Sequence, residues 1–241
     1  MSSTMKALVQ TFCQRRGLPV PNAVASSQDH QIIQLLALLN EALEDIVDRW
    51  DWSDLQQEAL FTTVDGEDQG FVTTIAPNGF LRIFNETIFN RSLRLPIFGP
   101  LRKDQWQALK ALPTTGPFYK YRIRQGKLLF NPAGVAGQTC AFEYQSARCV
   151  ILEGSSSISA VRFLNNGDTC IFDDKIVLAG LSWKWLSTKG LDYAEEFRRY
   201  ETLANNAAGR DASHPRVNMG EASNRMIPGI WVSPGNWPLN G

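Results

Sequence analysis

The chain has 241 residues, 44% of them hydrophobic, enough to bury a core in one large domain or two small ones without disulfide or metal staples. Lys plus Arg and Asp plus Glu number 24 each, so no overall field exists to gather nucleic acid, and any contact with DNA has to be local or topological. The cysteines Cys13, Cys140, Cys149 and Cys170 form no C-x-x-C pair and have only His30 and His214 to join them, which argues against a zinc site and for reduced, buried thiols.

Residues 5–16 place Met5, Leu8, Val9, Phe12 and Cys13 at helical spacing, and Gly17 with Pro19 ends that helix. Its apolar positions are broken by Lys6, Gln10 and Gln14, and no window of the chain is apolar for long enough to cross a bilayer, so the expectation is a soluble protein made in the cytosol. After the linker LPVPNAVASS, Ser26 and Asp29 stand in capping-box spacing ahead of a second helix carrying Ile32, Leu35, Leu39, Leu43, Ile46 and Trp50. Its second half shows Glu41, Glu44, Asp45 and Asp48 on one face, which predicts a central helix whose C-terminal half surfaces.

From Leu55 the pattern changes to short alternating runs at 58–64, 70–75, 80–84, 119–124, 127–131 and 139–144, with turns at Asp65-Gly66, Asn78-Gly79 and Gln125-Gly126. In the hairpin YKYRIRQGKLLFNP, Tyr119, Tyr121 and Ile123 face one way and Lys120, Arg122 and Arg124 the other. A short helix is expected over 103–112, and a Ser-rich turn near Ser155. Helical periodicity returns at Asp173-Asp174, which cap a helix through Ile176, Val177, Leu181 and Leu186 that ends at Gly190. Asp192 with Glu195 opens a last helix with the stripe Tyr193, Phe197, Tyr200, Leu203, Ala204 and Ala207. Trp183 and Trp185 are two apart and cannot share a helix face, so one must meet a second layer or a neighbouring subunit.

These runs predict an α+β fold: a roughly four-helix bundle from 1–54 and 166–212, an inserted antiparallel β domain over 55–165, and an extended C-terminal tail over 213–241. The tail sets Met226, Ile227, Ile230, Trp231, Val232 and Trp237 among prolines and glycines, which suits a segment that docks on another chain, with a fold-back onto its own domain as the rival.

Catalytic chemistry finds little support. Ser3-x-x-Lys6 matches a nucleophile motif in letters only, and two histidines on separate segments do not make a triad. Helix capping explains Asp173 and Asp174 better than a metal does, and loop solvation explains Asp168. Asp65-Gly66-Glu67-Asp68 lacks calcium-loop spacing, and no phosphate-binding glycine loop occurs, so no enzyme, cofactor or metal is expected. The stripe Lys120, Arg122, Arg124 and Lys127, with Arg91, Arg94, Arg102 and Lys103 as possible additions, suggests a single-stranded nucleic-acid module using the 119–131 hairpin. Tyr119 and Tyr121 face away from those cations, which favours a solvated sheet face instead.

The stretch FYKYRIRQGKLLFNPAGVAGQTCAFEYQS, the pair Asp173-Asp174 and the run LAGLSWKWLSTKGLDYAEEFRRYE together resemble the head-to-tail adaptors of tailed bacteriophages, the tail-tubular or tail-accessory type of short-tailed phages. LLNEALEDIVDRWDW resembles that family's first long helix. The likeness runs from about Gln31 to Arg210 and lies in order and texture rather than one signature; the first 25 residues and the tail match least. It implies a homo-oligomeric ring, commonly of twelve copies, at the head–tail junction of the virion. Met226, Ile227, Ile230, Trp231, Val232 and Trp237 would anchor on the portal protein. The β domain would meet a downstream nozzle or tail-tube protein, and packaged DNA would slide through without specific binding.

Overall fold

The structure, a computed structural model, describes residues 3–111 and 118–211. Helix α1 (Met5–Arg16) follows Thr4, whose Oγ1 accepts the Ala7 N–H, and stops at Gly17, where φ of 68° suits a residue without Cβ. It buries Met5, Leu8, Val9, Phe12 and Cys13, as the spacing predicts. Helix α2 (His30–Arg49) starts at Asp29 rather than through a Ser26 capping box. Asp29 keeps extended backbone angles, so its own Oδ1 reaches the Gln31 N–H, while Ser27 Oγ accepts the Asp29 N–H.

A 3-10 turn (Ser53–Leu55) leads into β1 (Gln56–Thr62), β2 (Gly66–Phe71), the one-turn helix α3 (Val72–Ile75), β3 (Phe80–Ile83), β4 (Phe89–Asn90) and β5 (Leu95–Pro96). Helix α4 (Lys103–Ala111), β6 (Lys120–Arg124), β7 (Lys127–Gly134) and β8 (Thr139–Ser146) follow. One antiparallel sheet runs β1-β8-β4-β5 with β3 also on β8, and a second runs β2-β7-β6. Asp65-Gly66 is therefore no hairpin turn, because β1 and β2 belong to different sheets. The buried Gln69 side chain serves that crossover by accepting the Val64 N–H and donating to the Val64 and Gly66 carbonyls. Residues 72–75, β-branched and expected as strand, form a helical turn, which brings Val72 and Ile75, three apart, onto the same core. Gln125 and Gly126 both have positive φ, 53° and 74°, and join β6 to β7 in a two-residue turn with Arg124 opposite Lys127. Between the two sheets lies an apolar cluster that includes Tyr121, Phe130, Phe142 and Tyr144.

The short strands β9 (Val150–Ile151), β10 (Ile158–Ala160) and β11 (Thr169–Cys170) pair antiparallel in the order β10-β9-β11. Helices α5 (Asp174–Thr188) and α6 (Ala194–Asp211) complete the described chain. Asp173 caps α5 through the Lys175 N–H, and Gly190, with φ of 67°, turns the chain towards α6, where Asp192 accepts the Ala194 N–H. The architecture is α+β with antiparallel sheets. Residues of α1, α2, α5 and α6 share a second apolar cluster, which Cys149, Val150, Phe163 and Cys170 join, so the small sheet sides with the helices. Helix α5 is apolar on every side and buried accordingly. Trp183 meets Phe197 of α6 edge-on at 5.2 Å, whereas Trp185 meets Phe12 of α1 at 5.8 Å; the second layer that the two tryptophans require lies within the chain. Gly180 permits the close approach, since a Cβ there would sit 3.2 Å from Ala42 and 3.4 Å from Tyr200. Among the described residues no helix is long and apolar enough to cross a membrane.

Candidate functional site

The β6–β7 hairpin keeps the predicted alternation. Tyr119 and Tyr121 are buried, and Tyr119 stacks on Phe130 at 5.6 Å, whereas Lys120, Arg122 and Arg124 point to the outer face. Lys127 Nζ is 2.6 Å from Asp68 and 5.2 Å from the Phe71 ring centroid, so one of the four cations is already neutralised. Lys120, Arg122 and Arg124 have no ion-pair partner among the described residues. Arg91 pairs with Glu58, and Arg102 with Asp104 at 2.8 Å, so neither adds a free charge to the stripe.

Sequence reasoning placed no aromatic beside these cations, but the structure does. Phe98 lies against Lys120 through a parallel bridge and meets Phe118 edge-on at 5.6 Å, and Phe71 lies opposite Lys127. All three are exposed. The face is not open throughout, however: Leu129, which the register sets between Asp68 and Arg122, is only 4% exposed.

Three polar arrangements lie away from this hairpin, and the first joins the two apolar clusters. Gln145 of β8 donates Nε2 to the Val47 and Trp50 carbonyls at 2.9 and 2.8 Å, while Arg82 of β3 donates to the Asp48 and Trp50 carbonyls, to Gln145 Oε1 and to Asp51. Side chains of the β sheet thus satisfy the orphan carbonyls at the end of α2. Asp168 is fully buried, not loop-solvated as expected; its carboxylate accepts the N–H groups of Glu153, Leu164 and Asn165. Burial alone would raise its pKa, and the backbone donors of Asn165, Leu164 and Glu153 outweigh that and hold it below the usual carboxylate range. Lys184, 5% exposed, extends from α5 between Glu41 at 2.7 Å and Asp45 at 2.5 Å on α2. Burial pulls its pKa down, and the hydrogen bonds to Asp45 and Glu41 more than offset this, so the ammonium stays charged. The sequence signal for it is a lysine in the middle of an otherwise apolar run of α5, facing two carboxylates four residues apart on α2.

The remaining candidates have structural occupations. Ser3 Oγ donates to Asp174 at 2.5 Å, fastening the N-terminal segment to α5. Asp65 accepts the Ala136 N–H and Glu67 pairs with Lys110 at 2.6 Å, so the acidic turn does not converge on one point. Among the described residues no group of three His, Cys, Asp or Glu side chains comes together to hold a metal. All four cysteines are free and buried; burial pushes the Cys140 thiol up to about 11 and Cys170 up to about 12, which keeps them protonated and unreactive. His214 and the tail residues Met226, Ile227, Ile230, Trp231, Val232 and Trp237 lie outside the described residues. No protein-family model matches the chain, and no curated protein matches it either.

Proposed function

We propose that this chain is a non-enzymatic head-to-tail adaptor of a tailed bacteriophage, one subunit of a ring, commonly of twelve copies, that joins the portal to the tail and extends the DNA channel. In this reading α1, α2, α5 and α6 act as a four-helix bundle, residues 55–165 as the inserted β domain facing a nozzle or tail-tube protein, and residues 213–241 as the portal-docking tail. The observation that supports it best is the fastening of β3 and β8 to the end of α2 through Arg82 and Gln145, which suits a part that carries load between two assemblies. The equal numbers of cations and anions suit a channel wall past which DNA slides. Deleting residues 215–241 is expected to abolish co-sedimentation with DNA-filled heads; undiminished attachment refutes the assignment of the tail.

A second reading, a single-stranded nucleic-acid module on the 119–131 hairpin, draws support from the exposed Phe98 and Phe118 at Lys120, the exposed Phe71 opposite Lys127, and Arg122 and Arg124 on the same hairpin. It predicts salt-dependent oligonucleotide binding by the protein alone, weakened when Arg122 and Arg124 become Gln. Absence of binding at low salt eliminates it.

A further inference from the structure

Strand β1 is an edge strand whose outer side is open over a defined window. Thr63 N–H donates to Gln138 C=O at 2.8 Å, which sets the phase of the ladder: Gln57, Ala59 and Phe61 turn their backbone groups towards Tyr144, Phe142 and Cys140 of β8. The opposite side of β8 confirms the phase, because Phe84 N–H reaches Glu143 C=O and Arg91 N–H reaches Thr139 C=O. Glu58, Leu60 and Thr62 therefore aim their N–H and C=O groups away from the sheet, and no group among the described residues bonds to them. Both ends of the window are closed locally. Gln56 N–H bonds to Ser53 C=O, and the Gln69 side chain takes both backbone groups of Val64.

Natural edges are commonly blunted by lysine, proline or a bulge. Residues 56–62, QQEALFT, carry none, and their register with β8 is unbroken. At the centre of the window Leu60 is 55% exposed. We infer that this edge pairs antiparallel with the same edge of a second copy, about a two-fold axis through Leu60. Leu60 then faces Leu60 of the other copy, and Glu58 faces Thr62 on either side. Each facing pair of outward residues exchanges two backbone hydrogen bonds, and the exposed leucines cover one another. No like charges oppose, whereas moving the axis to residue 58 would set two glutamates face to face.

This contact goes beyond the connector reading and does not rest on it. A two-fold pairing is self-complementary and cannot be the head-to-tail contact that repeats around a ring, so it describes the protein before assembly. It also hides an edge that would otherwise template aggregation.

The test uses the full chain without heads or portal. Sedimentation at rising concentration is expected to give the mass of two chains for the native protein and of one chain for Leu60→Lys, which sets like charges against each other at the axis. Facing residues of a hydrogen-bonded antiparallel pair have Cα atoms about 5.5 Å apart, within the span a disulfide accepts. Under mild oxidation Leu60→Cys is therefore expected to form a covalent dimer, and Val20→Cys, at 47% also well exposed but on the linker before α2, is not. A native protein that stays one chain throughout, a Leu60→Lys variant that still dimerises, or cross-linking no faster at 60 than at 20 each overturns the proposal. Loss of head attachment on deleting 215–241 would leave these readouts unchanged, so the two proposals fail separately.

Discussion

Replacing Lys184 should cost far less than replacing its partners, and the asymmetry follows from where each charge sits. The ammonium is buried on α5, whereas Glu41 and Asp45 keep about half of their side chains in water on α2. In Lys184→Met an unbranched chain of similar length fills the space, and the two carboxylates rehydrate. Their mutual repulsion at i, i+4 adds only a few tenths of a kcal/mol, so the net change should lie within about 1 kcal/mol. In Glu41→Gln with Asp45→Asn the ammonium remains buried without a counter-charge, a situation that costs about 3–5 kcal/mol. The pH dependence carries the sign. With its partners, Lys184 has a folded pKa above its unfolded value, so its contribution is fully present below the unfolded pKa and is lost as pH rises through the folded one. In the double variant burial acts alone and depresses that pKa, and the penalty disappears once the unfolded lysine also deprotonates, near 10.4. Urea unfolding followed by tryptophan fluorescence should show the gap between native and double variant at full size at pH 7 and closing towards pH 10; Lys184 Nζ lies 4.7 Å from the Trp183 ring and supplies a local probe. Equal losses in Lys184→Met and the double variant would refute the reasoning.

Asp168→Asn should cost about 2–4 kcal/mol at pH 7, because three backbone N–H donors lose a charged acceptor. Since the Asp168 pKa is depressed, its contribution is present above the unfolded value and disappears as pH falls through the folded one; urea midpoints of native protein and variant should converge below about pH 4. Gln145→Leu leaves the Val47 carbonyl without its donor and the Trp50 carbonyl with Arg82 alone, and should cost about 1–3 kcal/mol, with amide exchange accelerating first near the end of α2. Gly180→Leu pushes α5 off Ala42 and Tyr200 and should cost about 1–3 kcal/mol by thermal unfolding; an unchanged midpoint would mean that the three helices are not in the contact described.

Local rules carried the helices and failed where the partner lay far along the chain. Met5 to Cys13, the cap at Asp173 and the turn at Gly190 follow from spacing and residue type within one or two turns. Gln125-Gly126 was equally legible, because a two-residue turn with two positive φ values leaves no choice of partner strand. Asp65-Gly66 has the same signature, yet it joins different sheets; nothing within reach of the turn records that β1 pairs with residues 139–145. The strands at 150–151, 158–160 and 169–170 are too short to show alternation and exist through pairing across loops. At the candidate surface the cations were readable from alternation, whereas Phe98 reaches Lys120 through a connection outside the hairpin. Lys184 and Asp168 break apolar or loop patterns, and their meaning appears only once residues more than a hundred positions away, or buried backbone donors, are in place.

The first helix depends on residues made long after it. Met5 and Lys6 give their N–H groups to the carbonyls of Asp168 and Asn166, Ser3 is held by Asp174, Phe12 packs on Trp185, and Arg16 pairs with Glu196 at 2.8 Å. On the ribosome α1 therefore emerges without any of these partners, while the two large sheets draw only on residues 56–146 and can close as soon as β8 appears. Synthesis order then favours a folded β layer on nascent α1 and α2, with α5 and α6 joining afterwards and α5 bringing α1 and α2 into one core.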